Sequence, residues 1–168
     1  MRYIKMIAAD AGYGEGIRTV LCISGCSMHC RNCDMPKTAD FNRGDIHSVF
    51  HRKKTMTALE KPYIQGLTIC GGNPFDDAPY DNLNDCIRLC SGVRARLPRK
   101  DIWIYSGSDW DLIRNSPLLE LVDVVIEGKY EKSKVDISLP FYMSSNQRII
   151  DVRRSLDVGD VVLWRSKY

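Results

Sequence analysis

At 168 residues, 44% of them hydrophobic and 27% charged, the chain is long enough for one domain with its own core and has the composition of an ordinary globular protein. A net charge of +3 is too small to argue for a nucleic-acid partner, and no apolar run approaches the ~20 residues that span a bilayer. The amino-terminal Met1-Arg2-Tyr3-Ile4-Lys5 lacks the apolar stretch and small-residue cleavage site of a secretory signal. The expectation is therefore a cytoplasmic protein with reduced cysteines, no membrane contact and no direct nucleic-acid contact.

In chain order, Tyr3 to Ala8 and Arg18 to Ser24 read as short strands, the second rich in β-branched and apolar residues. Residues 25 to 45 are polar, with Gly, Pro, Asn and Asp scattered among them, and predict a long loop of the kind that is usually functional. The basic run His51-Arg52-Lys53-Lys54 reads as a solvated loop or helix end. A helix is predicted from about Thr55 to Leu59, ending near Pro62. Leu67 to Cys70 reads as a strand running into Gly71-Gly72-Asn73-Pro74.

Leu83, Cys86, Cys90, Val93 and Leu97 recur at spacings of three and four, which puts all five on one face of a helix. Asp101 to Tyr105 predicts a strand, Asp109 to Asn115 a short helix, and Val122 to Ile126 another strand bounded by Glu127-Gly128. Alternating strands and helices imply an α/β fold with a parallel sheet covered by helices. A complete (β/α)₈ barrel needs ~250 residues. The expected architecture is thus an incomplete TIM-like barrel: a curved, open, mostly parallel sheet with helices outside. It forms a single domain over residues 1–168, with an irregular tail from about residue 131.

Of the seven cysteines, Cys22, Cys26, Cys30 and Cys33 fall within twelve residues, a clustering that points to metal or redox chemistry in a reducing compartment. Cys26-Ser27-Met28-His29-Cys30-Arg31-Asn32-Cys33 has the form C-x₃-C-x₂-C. A [4Fe–4S] cube bound wholly by protein takes four thiolates. Three on one loop leave an iron open to a small molecule. The competing reading is structural zinc with Cys22 or His29 as fourth ligand, but such sites usually join two hooks across a longer spacer. Cys22 lies in a predicted strand and fits a buried core thiol. Cys86 and Cys90, which with Cys70 make a second-cluster reading conceivable, are explained more simply by the helical stripe.

The C-x₃-C-x₂-C segment resembles the signature of radical S-adenosylmethionine (SAM) enzymes. Further segments are similar to one subfamily, the activating proteins of anaerobic (class III) ribonucleotide reductases. These are Gly14-Glu15-Gly16-Ile17-Arg18, on the approach to the cluster loop, then Ser24-Gly25-Cys26 and Gly66 to Pro74. Lys100 to Gly107, Val122 to Tyr130 and Ser144-Ser145-Asn146-Gln147-Arg148 complete the set, so that the likeness spans roughly residues 3 to 148 in the expected order.

The resemblance implies a cluster held by Cys26, Cys30 and Cys33, with the methionine end of SAM on the open iron and cradled by Gly71, Gly72, Asn73 and Pro74. Ser106 is expected to add a polar contact. The implied activity is reductive cleavage of SAM, which generates a glycyl radical on the reductase catalytic subunit. The implied electron donor is a flavodoxin-like or other low-potential protein. Glycines at strand ends suit close approach of a ligand, and α/β sheets bind ligands beyond the carboxyl ends of their strands.

Three departures stand out. Asp34 replaces the usual aromatic residue after the third cysteine, at a position that often shapes the adenine pocket. Asn73 replaces an acidic residue, leaving a side-chain oxygen as the expected acceptor for the methionine ammonium. Phe141-Tyr142-Met143 departs from the family's tail.

Overall fold

The structure, a computed structural model, describes residues 1–76, 79, 81–141 and 144–166. Tyr142 and Met143, part of the departing tail segment, lie outside the described residues. The chain runs β1 (Arg2–Asp10), β2 (Arg18–Ile23), β3 (Asp45–Ile46), α1 (Val49–Leu59), β4 (Gly66–Gly71), α2 (Asn82–Arg96), β5 (Asp101–Tyr105), α3 (Trp110–Ile113), β6 (Val124–Glu127), β7 (Arg148–Asp151) and α4 (Val152–Val158). Seven strands form one sheet in the order β3–β1–β2–β4–β5–β6–β7. The mostly parallel expectation holds for its centre, where β2, β4, β5 and β6 pair in parallel through α1, α2 and α3. Both margins are antiparallel: β1 on β2, β3 on β1, and β7 on β6.

Side chains alternate across each strand. Leu21, Ile23, Leu67, Ile69, Ile102, Ile104 and Val125 join the main core with Met56 and Leu59 of α1 and Cys86, Leu89, Cys90 and Val93 of α2. The same strands turn Val20, Cys22 and Cys70, then Trp103, Val124 and Ile126, into two smaller clusters. These clusters pack against loop and tail residues, among them Tyr13, Met35, Phe141 and Trp164.

Two elements differ from expectation. α1 begins at Val49 rather than near Thr55, because its first turn leaves Val49 and Phe50 exposed and only Thr55, Met56, Ala58 and Leu59 are buried. Its amino-terminal half therefore carries no apolar period, and the basic run lies within it. The tail is not irregular throughout, since residues 148–158 form β7 and α4. Asp151 caps α4 by accepting from the Arg154 amide, and Gly159 ends it at φ 78°, a cap-and-stop pair. Among the described residues no helix is long and apolar enough to cross a membrane.

The amino ends of the parallel strands are closed by Arg18, which is fully buried. Its guanidinium pairs with Asp101 at 2.6 Å and donates to Thr68 Oγ1 at 2.7 Å and to the carbonyls of Glu15 and Leu67 at 2.9 and 3.0 Å. It also lies 5.1 Å over the Trp103 ring. A Cβ on Gly14 would meet Arg18 Cδ at 2.8 Å, and one on Gly66 would meet the Asp101 carbonyl at 2.1 Å. The Gly14-to-Arg18 segment thus builds a plug at the end of the sheet away from the cluster loop.

Candidate functional site

At the carboxyl ends of the strands the chain leaves β2 through Ser24 and Gly25 into the cysteine loop. Gly25 takes φ 96° and its amide donates to the Thr38 carbonyl at 2.8 Å, while the Cys26 amide donates to Ala39 at 3.1 Å. The return segment thereby closes the loop at its base. Between these ends His29 (φ 45°) and Asn32 (φ 56°) occupy the left-handed region, which asparagine and histidine enter more readily than most residues other than glycine. The Cys33 amide bonds the Cys30 carbonyl at 3.2 Å. Cys26, Cys30 and Cys33 are free and half-buried, and all three border two adjoining hollows of about 110 and 570 Å³. Among the described residues no three His, Cys, Asp or Glu side chains gather closely enough to share a single metal ion.

The floor of the inner hollow comes from the ends of the next strands. Gly71 and Gly72 line it after β4, Ser106 and Gly107 after β5, and Gly128 after β6. Their glycine identity has causes within the protein. Gly71 takes φ 91° with Ile23 O 2.7 Å from any Cβ, a Cβ on Gly72 would stand 2.5 Å from Gly25 O, and one on Gly107 would stand 2.9 Å from Met28 Cγ. The glycine-rich strand end is thus packed against the base of the cysteine loop.

Of the other residues expected at the site, Asn73, Ser106 and Asp34 line the hollow, whereas Pro74 is buried and does not. Asn73 is 2% exposed. Its Oδ1 already accepts from Ser106 Oγ at 3.0 Å, and its Nδ2 donates to Asp76 Oδ1 at 2.7 Å and to Ser108 Oγ at 3.2 Å. The Ser106 hydroxyl also accepts the Ser108 amide at 3.0 Å. Asp34 is the one acidic residue among the described residues lining the hollow, and burial raises its carboxyl above the usual range. Burial likewise pushes the Cys26 and Cys33 thiols up, opposed by hydrogen bonds from the Met28 and Met35 backbones. A metal that binds thiolate would displace those protons.

Sequence patterns did not single out Tyr13, Met28, Met35, Tyr105, Tyr130 or Gln147 as site residues, and these, with Cys70, also line the hollow. The only signal for Gln147 was the similar Ser144-to-Arg148 segment, and its role is visible here. Gln147 Nε2 donates to the Gly128 carbonyl at 2.9 Å, Asn146 Nδ2 to the Lys129 carbonyl at 2.7 Å, and Arg148 pairs with buried Glu127 at 2.6 Å. The segment ties down the chain leaving β6. Tyr105 donates its hydroxyl to the Phe141 carbonyl at 2.8 Å, and burial pushes the Tyr13 phenol up to about 12.

Cys22 and Cys70 are buried, with sulfurs 3.3 Å apart, and Cys22 belongs to the packed sheet rather than to the loop. The Cys22 sulfur and burial push the Cys70 thiol up. Cys86 and Cys90 are fully buried in the helix-side core, on the other face of the sheet from Cys70, so these three do not share a site.

Three half-buried thiols around a glycine-floored hollow make a donor set that would suit an iron–sulfur cluster taking three thiolates. A family model described as "4Fe-4S single cluster domain" matches residues 13–150. Among curated relatives, the anaerobic ribonucleoside-triphosphate reductase-activating protein of Enterobacteria phage T4 is 36% identical over 89% of this chain and 93% of its own. Those of Haemophilus influenzae and Escherichia coli K12 are 31% and 29% identical, over 89% and 91% of this chain and 97% and 100% of theirs. The chain belongs to the family of anaerobic ribonucleoside-triphosphate reductase-activating proteins.

Proposed function

We propose that the protein is a cytoplasmic radical SAM activase that generates a glycyl radical on the catalytic subunit of an anaerobic ribonucleotide reductase. The observation that carries this reading is the meeting of Cys26, Cys30 and Cys33 with Gly71, Gly72 and Asn73 around one cavity. The family's name supplies the partner. When bound, the [4Fe–4S] cluster supplies the electron that cleaves SAM reductively to the radical that takes a hydrogen atom from the reductase glycine.

The chain's own residues hold and orient. Cys26, Cys30 and Cys33 would hold the cluster through their thiolates. The strand ends Gly71-Gly72-Asn73 and Ser106-Gly107 hold the methionine end of SAM, chiefly through backbone groups, because the Asn73 and Ser106 side chains bond each other. Asp34, facing the same hollow, offers the carboxylate nearest to a cationic ligand. Tyr13, Tyr105 and Met28 supply apolar walls that exclude water from the reacting carbon.

The sheet acts as an incomplete TIM-like barrel of a single radical SAM domain, its open side admitting a protein loop. The electron comes from a flavodoxin-like or other low-potential donor.

The test is 5′-deoxyadenosine formation from SAM by anaerobically reconstituted protein with a strong reductant and the reductase subunit. We expect product from the wild-type chain and none from Cys30→Ala. An intact cluster that yields no product would sink the reading.

A further inference from the structure

Asp76 lies outside every segment that resembles the family and outside the cavity lining, yet it touches both halves of the site. Its Oδ2 accepts the Ser27 amide at 2.7 Å, one residue after Cys26. Its Oδ1 accepts Asn73 Nδ2 at 2.7 Å. Two further links run in parallel with it: the Asn73 amide donates to Gly25 O at 2.8 Å, and buried Asn82 Nδ2 donates to Ser24 O and Gly25 O at 3.0 and 3.3 Å.

Chemistry forces the orientation of the Asn73 amide. An ionised carboxylate only accepts, so the nitrogen of Asn73 must face Asp76 and the oxygen must face Ser106. Ser106 can meet that oxygen because its hydroxyl proton is free to donate while one of its two lone pairs takes the Ser108 amide. From the Ser108 amide through Ser106 and Asn73 to Asp76 every bond runs donor to acceptor, and the Ser27 amide donates to the same carboxylate from the other side. Asn73 is 2% exposed, so water has little access to its amide. A carboxylate introduced at position 73 would face the Asp76 carboxylate across the space now spanned by a 2.7 Å hydrogen bond.

We propose that Asp76 is a positioning residue of the site, matched to the Asn73 amide, which ties the first turn of the cysteine loop to the glycine-rich strand end. The acidic group that resembling proteins carry at position 73 has in effect moved three residues along the chain, outside the cavity. Its effect on SAM rests on the function proposed above, but its effect on the loop does not. Asn73→Asp alone should damage the site, although it restores the residue type usual at that position. Asp76→Asn alone should also damage it, because two amide donors then face each other. The double exchange N73D/D76N reverses donor and acceptor together and restores the bond between positions 73 and 76, with the Ser108 hydroxyl turning from acceptor to donor.

The test is this cycle, read in two ways: SAM affinity of the iron-loaded chain, and hydrogen exchange of the Ser27 amide in the iron-free chain. Each single exchange is expected to weaken SAM binding and to speed Ser27 exchange by about tenfold, and the double exchange to return within about threefold of wild type, a coupling typical of groups in direct contact. Asp76→Ala, which sets no like groups face to face, should speed Ser27 exchange as Asp76→Asn does, and serves if Asn73→Asp fails to fold. Silent single exchanges, or a double exchange as poor as the two losses combined, would overturn the pairing. If the iron-loaded wild-type chain binds no SAM, the proposed function falls, and the exchange cycle on the iron-free chain still decides the pairing.

Discussion

The two faces of the sheet are built from the same strands and do opposite work. Toward the helices, β2, β4, β5 and β6 present Leu, Ile and Val, and the only sulfur-bearing residues there, among the described ones, are Met1, Met6, Met56, Cys86 and Cys90, packed as hydrophobes. Toward the loops and tail they present Arg18, Thr68, Cys22, Cys70, Trp103 and Tyr105. An alternating strand lets one half of the residues collapse without constraint from chemistry, while the other half carries groups that need partners. On that second face the partners sort by end: the amino end closes around Arg18, and the carboxyl end opens onto the thiols.

The comparison makes unequal predictions. Cys30→Ala should abolish iron binding outright while leaving the thermal midpoint of the iron-free chain nearly unchanged, because Cys30 is only half-buried and belongs to no core cluster. Iron content and calorimetry together check this, and a folded variant that still binds a full complement of iron would remove Cys30 from the ligand set. Arg18→Met attacks the other end of the same face. It strips a buried guanidinium from Asp101, Thr68 and two carbonyls, and breaking such a pair should cost about 3 kcal/mol in denaturant unfolding. Iron binding in the fraction that folds should persist, since the plug and the loop lie at opposite ends of β2.

These two ends were not equally readable in the sequence. The cysteine hook is local, three residues on one loop, so spacing alone isolates it. α2 was legible for a similar reason: its buried stripe of Cys86, Leu89, Cys90 and Val93 recurs with the helical period. Arg18 gave no such signal, because its partners Thr68 and Asp101 come from β4 and β5, and an arginine at a strand start reads as solvated. Tyr13 escaped for the same reason, since the sheet, not the chain, brings it to the cavity, and Asp76 escaped because its partner Ser27 lies 49 residues away in the chain. β7 was missed because it is an edge strand only four residues long, half-exposed, with charged Arg148 and Asp151 at its ends.

A pH titration separates packing from site. His47 is 5% exposed and stacks edge-on with Tyr3 at 5.6 Å. Burial, then the positive charges of Arg52, His51 and the Met1 amine, pushes its imidazole down to about 4. In the unfolded chain it titrates at ~6.5. Between these values the unfolded state holds the extra proton, so stability is intact above ~6.5 and declines as pH falls toward 4, by about 2 kcal/mol at pH 5. Urea unfolding at pH 7 and pH 5 measures the loss, and His47→Phe should flatten it. An equally steep decline in the variant would transfer the effect to other groups.

The smallest effect is the sharpest on the comparison itself. Cys86→Ala removes one sulfur from a fully buried position on the helix side of the sheet, 3.8 Å from the Met1 sulfur. The expected cost is about 1 kcal/mol, a modest cavity in a core that relaxes partly around it. Iron content should equal that of the wild-type chain, because the sheet separates this thiol from the cysteine loop and burial raises its pKa far above the range in which it would ionise to bind metal. Loss of iron from Cys86→Ala, with the fold retained, would mean that the two faces communicate through the sheet, and that sulfur on the helix side is more than packing.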